Sequence, residues 1–406
     1  MKILFVAVDL PVPPNSGQAI RNLSILQALQ SGGHEVTFVC LAHKGRPKDL
    51  HPLSSFCRSI DILERPMTNL TQQADYLRRV RFLLALRSFS VERFRSAAMR
   101  ETIQQNLQAR KYNLIICDGI HALTNVPETK VPIALNCHFF EHVILDQYAR
   151  LERNPFKKFY ARIESRFMQI AERRGSYRVS RAMVCSHADE RLLRRFHQDL
   201  SVFVVPNVVD TDLIHPVERS PADGADSVLL FSGQMDWYPN RDAVEYFARA
   251  ILPRVRDEYP KVRFIVAGRN PPPRFVEQFK PDPCIEFTGT VLDIRPYLAV
   301  ATLVVVPLRF GSGTRIKILE ACAAGKPVVS TTIGAEGLIL EAGKEIILAD
   351  HPAEFARSVV TMLQNPTQRD AVASCSRTAV TERYSHLTLK KSLDVLISSL
   401  PSEFSR

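Results

Sequence analysis

Three side chains in the segment Pro307–Gly337 have types and spacing suited to chemistry at a sugar phosphate: Arg315, Lys317 and Glu320. They follow a turn containing Gly311, Gly313 and Thr314 and precede an apolar helix pattern, Ile316, Leu319 and Cys322, that stops at Ala324-Gly325. A glycine turn feeding a helix start offers backbone N–H groups and the positive end of the helix dipole to an anion. Arg binds phosphate bidentately and Lys acts as a point charge. Cleaving a bond to a diphosphate leaves growing negative charge, which preorganised donors stabilise without solvent reorganisation. Glu320, about one turn further on, supplies a carboxylate for sugar or ribose hydroxyls. These types together suit a nucleoside diphosphate carrying a sugar.

The elements that must position them read as a parallel sheet. Leu303–Val306 is an unbroken apolar run and Pro327–Ser330 is another, so the segment is strand, glycine turn, helix, strand. The pattern recurs upstream. Val228–Phe231 runs into Gly233, Phe264–Ala267 into Gly268, and Ile285–Phe287 into Gly289, Thr290 and Val291. Three strands ending at glycine on one edge predict a crevice lined by backbone.

The first half of the chain repeats the scheme. Lys2–Val8 predicts a strand, followed by a proline-rich loop to Gly17, a helix over about Gln18–Gln30 and a strand over Glu35–Leu41. In open α/β sheets ligands bind at the carboxyl ends of strands, which makes Gly17 a candidate for close approach to phosphate; a plain turn is the other reading. The apolar run Leu114–Cys117 ends at Asp118-Gly119, and the run Pro132–Leu135 ends at Asn136-Cys137-His138. His121 and His138 therefore fall just past strand ends, and Glu141 one turn on is the expected neighbour of His138. Residues from about 70 to 108 read as helix, and 150–175 as one long basic helix.

Length and composition set the frame. A chain of 406 residues holds two domains, each able to bury a core. No run approaches the roughly 20 apolar residues of a membrane span, and the start reads as a strand rather than a leader. Eight scattered cysteines without a CxxC pair predict free thiols, a reducing cytoplasm and no metal cage. Residues 1–215 hold 30 Lys/Arg against 20 Asp/Glu, nearly all of the net charge of +11. The cations cluster at Arg78–Arg100 and Arg150–Arg195. The first cluster, interleaved with Leu77, Phe82, Leu83, Leu86 and Phe89, reads either as a basic amphipathic face for anionic lipid or as a solvated helix face. Nucleic acid is not expected, because no recognition motif accompanies the charge.

Seven segments in order carry a resemblance over nearly the whole chain: Pro13–Arg21, Gly33–Val36, Val184–Ser186 with Asp189, Val205–Asp210, Phe231–Trp237 with Pro239-Asn240, Thr288–Asp293, and Gly313–Gly325. The chain resembles the retaining family 4 glycosyltransferases of GT-B architecture. The resemblance implies an α/β fold of two Rossmann-like α/β/α domains facing across a cleft. It implies an N-terminal acceptor domain at 1–215, a donor-binding domain at 216–385 and a C-terminal helix at 386–406 packing back toward the first domain; the stretch Pro216–Asp226, rich in Pro, Ala, Gly, Ser and charge without periodicity, is the expected linker. It implies transfer from a UDP- or GDP-sugar to a glycan, lipid-linked or polysaccharide precursor, with retained configuration and without metal or other cofactor. By position, Glu320 matches the second glutamate of the E-x7-E motif, Gly17 the glycine near the donor phosphate, and His138 the histidine near the transferring sugar.

Two departures stand out. Ser312 replaces the first glutamate of E-x7-E, and Gln234–Asn240 lacks the expected cation pair. Arg315 and Lys317 are expected to take over leaving-group stabilisation. The missing glutamate keeps open a non-catalytic nucleotide-sugar-binding scaffold, and an epimerase of similar architecture is a further alternative. The location expected is cytoplasmic, peripheral on the inner face of the plasma membrane.

Overall fold

The computed structural model describes residues 1–43, 49–66, 72–217 and 227–404. The chain forms two compact units, Met1–Pro206 with Leu389–Arg406, and Asn207–Thr388. From residue 218 on, the linker expected at Pro216–Asp226 lies outside the described residues.

The first unit is built on a seven-stranded, all-parallel sheet in the order β3-β2-β1-β4-β5-β6-β7. Its strands are β1 (Lys2–Ala7), β2 (Glu35–Ala42), β3 (Ser59–Glu64), β4 (Leu114–Asp118), β5 (Ile133–Cys137), β6 (Arg181–Val184) and β7 (Ser201–Val204). The central strands are apolar on both faces because helices cover both sides of a parallel sheet. Phe5 of β1, fully buried, sits in register with Phe38 on one side and Ile116 on the other. The strand order reverses between β1 and β4, and the crevice at such a switch point is where α/β sheets hold ligands. The loop after β1 enters the helix Gly17–Ser31, whose N-cap Ser16 accepts a hydrogen bond from the Ala19 N–H. The terminal segment is tied to this unit by Arg181, whose Nε donates to Ser399 Oγ at 2.9 Å.

The second unit carries a six-stranded parallel sheet, β10-β9-β8-β11-β12-β13. These strands are β8 (Val228–Ser232), β9 (Arg263–Ala267), β10 (Ile285–Gly289), β11 (Leu303–Val306), β12 (Val328–Ser330) and β13 (Ile347–Leu348). Its switch point lies between β8 and β11, which pair through Leu229–Leu303 and Leu230–Val304.

Two helix expectations are corrected. The stretch read as one helix over 70–108 is three helices in its described part, Gln72–Leu84, Phe89–Glu92 and Ala97–Ala109. Leu86 breaks the first at a positive φ of 53°. Ser88 and Ser96 then cap the next two, offering their side chains to backbone N–H groups. The basic stretch 150–175 is likewise two helices, Glu141–Leu151 and Pro155–Ser176. Pro155 disfavours the helical conformation at Asn154, which instead caps the second helix through the N–H groups of Phe156 and Lys157.

Candidate functional site

The second unit gathers its chemistry at the carboxyl edge of its sheet. Gly233, Gly268 and Gly289 end the three adjacent strands β8, β9 and β10. The Gly233 N–H donates to Ala267 O at 3.0 Å and the Gly268 N–H to Gly289 O at 3.2 Å. The backbones run so close that a Cβ on Gly268 would fall 1.8 Å from Gly233 O. A Cβ on Gly233 would meet Lys317 Nζ at 2.7 Å and Asn240 Nδ2 at 2.9 Å, so the missing side chain leaves room for the ammonium. Thr290 is exposed and Val291 half-buried just beyond this edge.

Lys317 and Glu320 stand on the helix Ile316–Ala323, which follows β11 on the other side of the switch point. Lys317 Nζ donates to Asn240 Oδ1 at 3.0 Å and lies 3.9 Å from the centre of the Phe231 ring. Burial there, reinforced by the charge of Arg315, pushes its pKa down to about 7, although Glu320 pulls it the other way. Burial likewise pushes Glu320 up to about 7, against the opposing pull of Lys317. Burial thus shifts the two groups toward each other, the ammonium down and the carboxyl up, each against the pull of the other.

Arg315 is the N-cap residue of that helix and makes no side-chain cap bond. Its guanidinium folds back over Gly311, where a Cβ would stand 2.5 Å from Nη2, and donates to Ile333 O at 3.1 Å. Gly313 holds a positive φ of 76°, the conformation that favours glycine, and so turns the chain into the helix. Thr314 Oγ1 accepts from Asn207 Nδ2 at 2.6 Å. The loop after β12 braces the turn, with Thr331 Oγ1 donating to Leu308 O at 2.5 Å. Ser312, standing where a glutamate was expected, is half-buried in this turn.

The first unit has a separate polar cluster at its own switch point. Asp118, fully buried at the end of β4, accepts hydrogen bonds from Gln18 Nε2 at 2.7 Å, Asn22 Nδ2 at 2.8 Å and Asn136 Nδ2 at 3.1 Å. His138 Nε2 also lies against Asp118 Oδ1. Burial alone would raise the Asp118 pKa; the His138 charge and these donors outweigh it, and the carboxyl is held below its usual range. Arg21, 1% exposed, joins the cluster by donating from Nε to Asn136 Oδ1 at 3.0 Å and from Nη1 to Val205 O at 2.8 Å. Gly17 opens the helix that carries Gln18, Arg21 and Asn22.

The expected pairing of His138 with Glu141 is corrected. Glu141 Oε2 lies 3.2 Å from His121 Nε2 instead, while His138 turns to Asp118. The helix Glu141–Leu151 starts with its first carboxylate facing the short helix Gly119–Leu123 that bears His121. Asn240, Asn207, Gln18 and Arg21 fall within segments that carried the resemblance but were given no role from sequence, and Asn22 was not named. Only the position of Asp118 just past an apolar strand hinted at its part.

Comparison with known proteins places both units. Residues 15–213 match the model of Glycosyltransferase Family 4, and residues 226–365 match that of Glycosyl transferases group 1. An uncharacterized 44.6 kDa protein in the cps region of Klebsiella pneumoniae is 21% identical over 400 residues, spanning 94% of this chain and 96% of that one. Among solved structures, the sucrose-phosphate synthase of Thermosynechococcus elongatus superposes with a TM-score of 0.74 at 16% identity, covering 98% of this chain and 99% of that one. HepE of Anabaena, in complex with UDP and glucose, gives 0.67 at 16% identity, covering 98% and 100%.

Proposed function

We propose that this chain, a glycosyltransferase of the two-domain GT-B fold, moves a hexosyl group from a UDP- or GDP-sugar to a glycan, lipid-linked or polysaccharide precursor, with retained anomeric configuration. The observation that carries the reading is Lys317 standing against Gly233 at the β8–β11 switch point, with Arg315 folded over Gly311 and Glu320 one turn on along the same helix. The start of the helix Ile316–Ala323, with no side-chain cap, directs N–H groups and positive dipole to the same place. In this reading the donor diphosphate lies over the turn Gly311–Thr314. Lys317 and Arg315 take up the charge that grows on the leaving group, and Glu320 accepts from the ribose hydroxyls. Gly233, Gly268 and Gly289 give the nucleotide a backbone shelf that extends toward Thr290 and Val291. Since side-chain cations meet the diphosphate, the reaction is expected to run without a metal ion. His138, steadied by Asp118, is assigned to the sugar being transferred, with Gly17 beside the phosphate. Retention is supported by the family 4 match in the first unit, and a uridine donor by the nucleotide bound in the HepE complex.

A thermal-shift screen with UDP, GDP, ADP and their sugars tests the donor assignment. Ligand at a hundred times Kd stabilises by about 2.7 kcal/mol, a readily visible shift. UDP or GDP should raise the Tm of wild-type protein and have little effect on Lys317→Ala. A screen in which no nucleotide moves the transition would end the reading. Proton NMR of the first-formed product distinguishes retention from inversion.

A further inference from the structure

The helix Pro155–Ser176 sorts its charges in an unusual way. Both of its carboxylates, Glu164 and Glu172, point inward and are at most 8% exposed. Glu164 accepts from Ser88 Oγ at 2.7 Å, and Glu172 from the Glu141 N–H at 2.8 Å. Its arginines Arg162, Arg166, Arg173 and Arg174 are exposed, and none has a carboxylate within ion-pair distance among the described residues. Between them runs an apolar stripe open to solvent, with Phe156 84% exposed, Phe159 64% and Ile170 46%. A soluble surface helix normally shows the reverse, with apolar residues turned inward and both signs of charge outward.

The helix Gln72–Leu84 approaches this helix through Arg79. Arg79 lies 4.6 Å over Phe89 and 5.8 Å over Tyr160, joining the two basic stretches that the sequence keeps far apart. Leu77 and Leu84, 68% and 80% exposed and seven residues apart, lie on the opposite side of that helix from Arg79. By contrast, part of the Arg78–Arg100 stretch is neutralised internally, since Arg95 pairs with Glu92 at 2.8 Å and Arg87 approaches the same carboxylate at 3.9 Å. A cavity of about 370 Å³ opens near Ile170 and Arg173, with Arg195 and Phe196 on its far wall, and combines guanidinium and apolar lining.

We propose that the outward face of the helix Pro155–Ser176 docks on an anionic lipid bilayer, with Phe156 and Phe159 entering the headgroup boundary and Arg162 and Arg166 meeting lipid phosphates. Exposed aromatic side chains beside arginines that have no ion-pair partner among the described residues, with both of this helix's own carboxylates turned inward, complement such a surface. No helix among the described residues is long and apolar enough to cross the membrane, so the helix lies along the surface. The inference is independent of the donor site.

Sedimentation of the full chain with vesicles tests it. Phosphatidylcholine vesicles containing phosphatidylglycerol should carry the protein down, neutral phosphatidylcholine vesicles should not, and binding should weaken as salt rises. The Phe156→Ser/Phe159→Ser variant should lose about tenfold or more in vesicle affinity. Arg162→Glu/Arg166→Glu, a purely surface change that keeps the fold testable, should lose roughly a hundredfold. Absence of sedimentation, equal sedimentation with neutral vesicles, or unchanged binding by the charge-reversed variant would overturn the proposal. So would a wild-type dimer in analytical ultracentrifugation that the Phe variant dissociates, because a second copy would then cover the face. Thermal shifts with UDP or GDP are expected to be the same in these variants as in wild type, which keeps failure here distinct from failure of the donor assignment.

Discussion

Lys317 and Asn240 are joined by a hydrogen bond of 3.0 Å that spans the switch point of the second sheet. Asn240 itself is fixed, because its Nδ2 donates to Gln234 O at 2.9 Å. The amide thus holds the ammonium in place over the ring of Phe231, and the chain supplies through Asn240 part of the positioning that a denser set of cations after Gly233 would give. Lys317→Ala should lower kcat by about a hundredfold or more, the usual loss for one preorganised donor to a developing charge. Asn240→Ala keeps the ammonium and removes its tether, so a smaller fall of about tenfold in kcat/KM is expected. Steady-state kinetics with unchanged circular dichroism checks both.

The paired pKa values of about 7 for Lys317 and Glu320 make a prediction about protons. A bound diphosphate favours the ammonium and raises the Lys317 pKa, which takes up a proton. Ribose hydroxyls donating to the carboxylate lower the Glu320 pKa, which releases one. Near neutral pH the two nearly cancel in wild-type protein. Glu320→Gln should then show net proton uptake on UDP binding, and Lys317→Met net release. Calorimetry in two buffers of different ionisation enthalpy measures the sign. The free protein has a matching stability profile. Glu320, raised in the fold, stabilises below its unfolded pKa, and that contribution fades as pH rises from about 4.5 to about 7. Lys317, lowered in the fold, adds stability as pH rises from about 7 to about 10.5. Their joint contribution is therefore lowest near neutrality, and it should flatten in the Glu320→Gln/Lys317→Met double variant.

Local signals made the second unit easy to read. Unbroken apolar strands, a glycine after each and a helix start with Arg and Lys beside it all lie within short stretches, so periodicity and turn chemistry report them directly. The first unit hid its polar cluster because Gln18, Arg21, Asn22, Asp118 and Asn136 come from three separate elements. Only the strand order, which no local pattern states, brings them together. The same reason explains the misassigned partner of His138: Glu141 is near in sequence, but the loop after β5 sends it to His121. Breaks at Leu86 and Asn154 escaped because the flanking residues keep helical composition and the stops are capping and backbone events.

Gly268 provides a test of the backbone shelf. A Cβ there would collide with the carbonyl of Gly233, a backbone atom that cannot rotate away, whereas one on Gly289 would find nothing within 4 Å. Gly268→Ala should therefore destabilise the second unit by about 3 kcal/mol and weaken nucleotide binding, since Gly233 must shift. Gly289→Ala meets no neighbour but must hold a positive φ of 72°, so about 1 kcal/mol is expected. Urea unfolding followed by UDP titration separates the two variants. Equal losses would count against a shelf set by close backbone approach.

Asp118 gives the corresponding test in the first unit. Asp118→Asn keeps the volume but turns an amide toward the donors Gln18, Asn22 and Asn136, and removes the carboxylate that His138 Nε2 lies against. Setting an amide against the buried donors of Gln18, Asn22 and Asn136 leaves them unsatisfied and costs about 3 kcal/mol, which lowers Tm by roughly 10 °C for a unit of this size. The pH dependence carries the diagnostic sign. Because the folded carboxyl is held below its ordinary value of 3.8, its contribution is present above that pH and is lost as pH falls through the lowered folded value. Wild-type protein should thus lose stability steeply in acid. The Asn variant, already destabilised at neutral pH, should show a shallower acid limb in thermal melts. If both profiles run parallel, His138 is not held by the charge of Asp118, and its assignment to the transferred sugar loses its positioning partner.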